Sequence, residues 1–108
     1  MKYSYNITFV VAPQEEARLL HYLHGQLIPE LEKGENAPQN PDLKKVIEIG
    51  GEKPDPEHGL SVALSVGFDS EEKARTWYAD VLLAALTSFH EEFGDQGMYF
   101  ITMLEHGL

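Results

Sequence analysis

The chain has 108 residues, enough for a modest core, and it contains no cysteine, which excludes disulfides, thiolate metal ligands and a cysteine nucleophile. Its formal charge is −10 and no basic patch interrupts the acidic residues, which argues against binding to nucleic acid or to an anionic membrane surface. No apolar run approaches the length of a membrane span, and the first residues lack the apolar segment of a signal peptide. We therefore expect a cytoplasmic protein whose residues 1–108 form a single domain.

The first predicted element is a strand over residues 3–11. Every second residue is large and apolar, and the residues between are small or polar, which is typical of a strand with one buried face. The buried set is Tyr3, Tyr5, Ile7, Phe9 and Val11, and the other face carries Ser4, Asn6, Thr8 and Val10.

Residues 13–34 predict the first helix. Leucines recur at spacings of three and four, and Pro13 and Gly34 suit the two ends. Pro29 breaks this pattern because an interior proline cannot donate to the carbonyl of residue 25. Position 25 is glycine, so we expect a kink there.

Residues 35–42 have the composition of a loop, with two prolines and no bulky apolar side chain. Residues 43–49 then predict a short edge strand, and residues 50–59 predict a long connection. The next segment, 60–68, repeats the alternation of the first strand. Its large apolar set is Leu60, Val62, Leu64, Val66 and Phe68, and its small set is Ser61, Ala63, Ser65 and Gly67.

Residues 70–93 predict the second helix, with Asp69 as its N-cap and Glu72 at the capping-box position. An apolar stripe follows this helix and ends at Gly94. Residues 98–105 predict the last strand, which is apolar on both faces: Met98, Phe100 and Leu104 alternate with Tyr99, Ile101 and Met103.

The predicted order is strand, helix, strand, strand, helix, strand. Two right-handed strand-helix-strand units place both helices on one face of an antiparallel sheet. We therefore expect an α+β fold, a ferredoxin-like βαββαβ sandwich with strand order 4-1-3-2. Many functions occur on this fold, so the fold alone predicts no chemistry.

The sheet face away from the helices is the candidate functional surface. We expect Tyr99, Ile101 and Met103 to form an apolar strip there, beside the small polar residues of the central strands. Either solvent or a second copy of the chain could cover this face, and we prefer the second copy because apolar patches commonly mark interaction surfaces. The candidate residues for a ligand or a dimer contact are Asn6, Thr8, Ser61, Ser65, Tyr99, Ile101 and Met103.

Four short motifs resemble a family of short bacterial proteins known as domain of unknown function 4286. They are Tyr5-Asn6-Ile7-Thr8-Phe9, Ile28-Pro29-Glu30-Leu31, Gly59-Leu60-Ser61-Val62 and Phe100-Ile101-Thr102-Met103-Leu104-Glu105. The resemblance covers nearly the whole chain in order. It implies a ferredoxin-like dimeric protein, similar to the dimeric α/β barrels, and it supplies no activity.

No catalytic residue and no metal ligand is predicted. His21 and His24 share one face of a helix at a spacing that could chelate zinc, but no third ligand is placed by the sequence, and we interpret both as surface or core-edge residues. Serine nucleophile motifs and phosphate-binding loops are absent from the sequence, and we predict no cofactor.

Two functions remain open. The first is a non-catalytic homodimer that binds a small molecule or a protein partner through the open sheet face. The second is an enzyme resembling the dimeric α/β-barrel monooxygenases, which use an asparagine on the first strand with a tryptophan and a histidine. Asn6 is similarly placed, whereas Trp77 falls on the second helix.

Overall fold

The computed structural model of the chain describes residues 2–34, 36–47 and 60–108. Four strands form one antiparallel sheet in the order β2-β3-β1-β4, which confirms the predicted α+β sandwich and its strand order. The strands are β1 (Tyr3–Val11), β2 (Gln39–Lys45), β3 (Leu60–Phe68) and β4 (Gly97–Glu105). Two long helices, α1 (13–31) and α2 (71–93), pack on one face of this sheet.

Helix α1 contains a π turn where we expected a kink. A 3₁₀ turn (Pro13–Glu15) opens it, and α-helix (Glu16–Tyr22), π-helix (Leu23–Leu27) and α-helix (Ile28–Leu31) follow. In the π turn, the N–H of Ile28 bonds to the carbonyl of Leu23, five residues earlier. The wider turn lies directly before Pro29, so it relieves the crowding that the proline ring would cause in a regular α-helix.

Helix α2 begins at Glu71, one residue later than the start at Ser70 that we predicted. Ser70 is the N-cap, and its hydroxyl accepts a hydrogen bond from the backbone N–H of Lys73 at 3.2 Å. The prediction of Asp69 as the cap was wrong, because the Asp69 carboxylate instead accepts a hydrogen bond from the Gln39 side chain on β2. The helix comprises α-helix (Glu71–Trp77), π-helix (Tyr78–Leu82) and α-helix (Leu83–Phe93), and it ends before Gly94, whose φ is 53°.

Strand β2 begins earlier in the chain than we predicted. It covers Gln39–Lys45, part of which has loop composition, and its pairing with β3 is irregular between Gln39 and Asp42. An edge strand bonds to a neighbour on one side only, so Pro41 can occupy it without breaking the ladder. The strand also ends earlier than we predicted, since it does not include Val46 and Ile47. Residues 48 and 49, which we also assigned to it, lie outside the described residues.

The core lies between the helices and the inner face of the sheet. Tyr5, Ile7, Phe9 and Val11 of β1 are buried there, as are Val62, Leu64, Val66 and Phe68 of β3. The Tyr5 hydroxyl donates a hydrogen bond to the carbonyl of Ala74 at 3.1 Å, and burial raises the pKa of this tyrosine. Within the described ranges, no helix is long and apolar enough to cross a membrane.

Gly97→Ala is expected to destabilise the fold. A Cβ at position 97 would lie 3.0 Å from both the Phe89 ring and the Phe93 Cβ, and 3.4 Å from a methyl group of Val11. Overpacking a tight site of this kind costs about 1–3 kcal/mol. Urea denaturation followed by circular dichroism measures this loss of unfolding free energy.

Gly25→Ala is the matched control for that change. A Cβ at position 25 meets no atom within 4 Å. The same substitution within a helix should therefore leave stability unchanged or raise it by about 0.5–1 kcal/mol. Equal stability of the Gly97→Ala variant and the parent protein would show that the space around Gly97 is not restrictive.

Candidate functional site

The register of the strands determines which residues share each face of the sheet. Residues directly opposite one another on neighbouring antiparallel strands point to the same side. On β1, Ile7 and Phe9 lie opposite Ile101 and Tyr99 of β4, and Tyr5 lies opposite Met103. The three β4 residues therefore point toward the helices, with the core residues of β1.

The predicted placement of Tyr99, Ile101 and Met103 on the open face was therefore wrong. Ile101 and Met103 pack against the core, and the Tyr99 ring meets the Phe89 ring edge-on, with 6.2 Å between centroids. Strand β4 is apolar on both faces, so its composition alone does not decide which set is inside. The pairing with β1 decides it.

The open face does carry an apolar strip on β4, formed by the alternate residues. Met98, Phe100 and Leu104 are 55%, 57% and 45% exposed. They lie opposite Val10, Thr8 and Ser4 of β1, so they belong to the same surface as the small residues of the central strands. We call Met98, Phe100 and Leu104 the β4 strip.

Four of the predicted residues do lie on the open face, near the centre of the sheet. Asn6 is opposite Ser65, and Thr8 is opposite Ala63, with Ser61 farther along β3. The Ser65 hydroxyl donates a weak hydrogen bond to the Asn6 side-chain oxygen at 3.4 Å. These groups form a small, uncharged, half-buried polar surface.

His106 is a polar residue of this surface that sequence reasoning missed. Its Nε2 lies 2.8 Å from the Ser4 hydroxyl, and Ser4 is buried. The backbone N–H of His106 also donates a hydrogen bond to the carbonyl of Lys2, which continues the pairing of β4 with β1. His106 is an even-numbered residue, as are Phe100 and Leu104. Extending the alternation of the last strand to residue 106 would therefore have placed His106 on the same face as those two residues.

Charge is absent from the open face of three strands. Each of β1, β3 and β4 presents four positions to this face, and none carries an acidic or basic side chain. These positions are Ser4, Asn6, Thr8, Val10, Ser61, Ala63, Ser65, Gly67, Met98, Phe100, Thr102 and Leu104. Charged residues make up 24% of the chain, so the face is markedly depleted in them.

A pair of charged residues on the edge strand β2 borders this surface. Asp42 and Lys44 lie opposite Ser65 and Ala63, and their side chains form an ion pair at 2.8 Å. The hydrogen bond that the Lys44 ammonium donates to the Asp42 carboxylate raises the pKa of Lys44. The two charges compensate one another, so this rim contributes no net charge to the face.

The helical side of the molecule has shallow grooves that involve none of the predicted site residues. One of about 290 Å³ lies between the helices, beside Gly25 and Pro29. Another of about 210 Å³ lies between α1 and β2, and His24 is on its wall. His21 and His24 are both exposed, and the described residues contain no group of three or more side chains that could hold a metal ion.

Comparisons with known proteins support the fold and identify the family. A solved structure, the de novo designed protein Foldit4, matches 99% of this chain and 100% of its own chain with a TM-score of 0.58. Its sequence identity is 9%, so this likeness concerns the fold alone. No curated protein matches the chain. Residues 2–107 match the family described as domain of unknown function DUF4286, and the chain therefore belongs to that family.

Proposed function

We propose that this protein is a non-catalytic homodimer that forms through the open face of its sheet. The observation that carries the proposal is the combination of the β4 strip with the lack of charge at the open-face positions of β1, β3 and β4. A surface facing water normally carries many charged side chains, and the core of an interface is depleted in them. The open face has the composition of an interface.

A second copy is the partner that fits this face best. Each chain carries a formal charge of −10, so most of its surface repels another copy. A twofold contact places the same patch of both chains together, and the open face is a broad surface where that patch is neutral. Two sheets packed face to face lie about 10 Å apart, which leaves room for the side chains of the β4 strip between them.

We also propose that this surface binds a small polar molecule. Ser4, Asn6, Ser65 and His106 offer hydroxyl, amide and imidazole groups close to one another. In the proposed dimer they would border the space between the two sheets. Gly67 and Ala63 add little side-chain volume there, which would favour a cleft over a closely packed contact.

The monooxygenase alternative receives less support. Asn6 lies on the first strand, as in those enzymes, and it is on the open face of the sheet. Trp77 is buried on the other side of the sheet, and its indole N–H donates a hydrogen bond to the carbonyl of Leu31. A tryptophan in this position is part of the core and does not border the open face.

Ala63→Lys is expected to break the open-face contact and lower the mass of the assembly. Ala63 lies on the open face between Thr8 of β1 and Lys44 of β2, so a twofold contact would bury two new ammonium groups that have no partner of opposite charge. Sedimentation velocity at micromolar concentration should show a smaller assembly for the variant than for the parent protein. Circular dichroism should show an unchanged fold, because the lysine is exposed to water once the face contact is lost.

Ala84→Lys is the matched control because it adds the same charge on the exposed side of α2. This variant should keep the mass of the parent assembly. A parent protein that is monomeric throughout the concentration range would contradict the proposal, as would an assembly whose mass Ala63→Lys leaves unchanged.

A further inference from the structure

The two edges of the sheet differ in how well they are protected against pairing with another strand. Edge strands are normally blunted by prolines, lysines, bulges or a short length. Strand β2 has these features: an irregular pairing, Asn40 with a φ of 48°, Pro41, and the lysines Lys44 and Lys45. This edge is poorly suited to strand addition.

Strand β4 forms the other edge and has none of these features. It is nine residues long, pairs with β1 without a register shift, and contains neither proline nor lysine. Its single charged residue is Glu105, at the end. The outer side of β4 has no strand neighbour in the described part of the chain, so a continuous row of backbone groups faces outward.

Both faces of β4 are also apolar next to this edge. The β4 strip lies on the open face, and Tyr99, Ile101 and Met103 lie on the helix face, partly covered. A strand added to this edge would therefore gain side-chain contacts on both faces as well as backbone hydrogen bonds. A long, apolar and unprotected edge of this kind indicates a pairing site.

We infer that β4 pairs in antiparallel fashion with β4 of a second copy and joins two sheets into one of eight strands. The helices of both copies must lie on the same side of such a sheet, so a residue can face only a residue of its own parity. The twofold axis therefore passes midway between one residue and the same residue of the second copy. Pairing of all nine residues of Gly97–Glu105 places this axis at Ile101, the central one.

This register is self-complementary in both apolar character and charge. It places Met98 opposite the partner's Leu104 and Tyr99 opposite the partner's Met103, so apolar residues face one another on both sides of the sheet. Glu105 lies opposite the partner's Gly97, so the two carboxylates are at opposite ends of the pair. A foreign strand could use the same edge, but a second copy already has the matching pattern.

The edge contact is a separate surface from the open-face dimer, and the two do not exclude one another. The edge contact uses the outer backbone of β4, whereas the face dimer uses the side chains of the whole open face. A protein that forms both contacts would be larger than a dimer, with one contact remaining when the other is removed.

Single cysteine variants test the edge contact, because the chain contains no cysteine of its own. In the inferred register, the Cα atoms of position 101 in the two copies are about 4.5–5.5 Å apart, within the reach of a disulfide. Ile101→Cys should therefore form a disulfide-linked dimer under copper phenanthroline, seen on a non-reducing gel. Cysteine is a small apolar residue, so the half-buried site should tolerate it.

Tyr99→Cys is the matched control on the same face of the same strand. In the inferred register, the two copies of position 99 are four residues apart along the strand, or about 13 Å, which is too far for a disulfide. Cross-linking of Ile101→Cys without Tyr99→Cys is the expected result. No cross-link at position 101, or equal cross-linking of both variants, would overturn the inference.

Combining Ile101→Cys with Ala63→Lys separates this inference from the proposed function. The thiols at position 101 point toward the helices, so a dimer formed only through the open face cannot bring them together. The cross-link should therefore persist in the double variant, while sedimentation of the reduced Ala63→Lys protein reports on the face contact. A cross-link that disappears with Ala63→Lys would show that the edge contact does not exist by itself.

Discussion

Trp77→Ala is expected to cause one of the largest losses of stability in the chain, about 3–5 kcal/mol from the cavity alone. Trp77 is 1% exposed, and its ring lies 5.1 Å from the Phe68 ring and 5.8 Å from the Tyr5 ring, between centroids. Its indole N–H also donates a 2.9 Å hydrogen bond to the carbonyl of Leu31, the last residue of α1. Truncation would leave a cavity and a helix-end carbonyl without its donor.

Trp77→Phe separates these two effects. Phenylalanine keeps most of the buried ring but cannot donate the hydrogen bond, and loss of a donor to a buried carbonyl costs about 1–3 kcal/mol. Urea denaturation followed by circular dichroism suits all three proteins, because Trp77 is the only tryptophan and the variants lose its fluorescence. A loss below about 1 kcal/mol for Trp77→Ala would contradict the packing described around this ring.

Phe89→Ala is expected to have a similar effect at the other end of the core, about 3–5 kcal/mol. The Phe89 ring is fully buried and lies near four other rings: Phe93 at 4.9 Å, Phe9 at 5.0 Å, Tyr99 at 6.2 Å and Tyr22 at 6.3 Å, between centroids. It therefore connects both helices with β1 and β4. The unfolding free energy, measured as for Trp77, gives the size of the loss.

Phe89→Leu provides the control for that prediction. Leucine retains much of the apolar volume and loses the ring contacts, each of which contributes about 0.5–1.5 kcal/mol beyond the buried area. We expect the leucine variant to lie between the parent and the alanine variant. If the leucine and alanine variants were equally stable, cavity formation could not be the main cause of the loss.

The sequence was sufficient to predict the fold because the strongest patterns belong to the central strands. The alternation in β1 and β3 has one large apolar face and one small face, so each pattern assigns its own inner side. The same argument placed Asn6, Thr8, Ser61 and Ser65 on the open face. Local side-chain chemistry determined these positions without information from other strands.

The last strand could not be assigned in this way. Tyr99, Ile101 and Met103 are as apolar as Met98, Phe100 and Leu104, so neither set is preferred by its composition. The inner set is fixed by backbone pairing with β1, a contact between residues far apart in the sequence. The position of β4 at an edge explains the ambiguity, because the helices cover its inner face only in part.

Strand β2 and the cap of α2 were mispredicted for a related reason. Residues with loop composition form a strand here because their backbone pairs with β3, and local composition does not reveal that pairing. Asp69 and Ser70 are both good cap residues. Gln39 of β2 donates a hydrogen bond to the Asp69 carboxylate, and the serine takes the role of cap.

The π turns at Leu23–Leu27 and Tyr78–Leu82 have a consequence for how the length of this chain could vary. A π turn holds one more residue than an α turn between the same two points along the helix axis. Each long helix therefore contains the equivalent of a single inserted residue, absorbed as a local widening. A chain with one residue fewer in either helix could keep the same sheet, the same register and the same loops. Single-residue length differences within the helices are thus compatible with an unchanged open face.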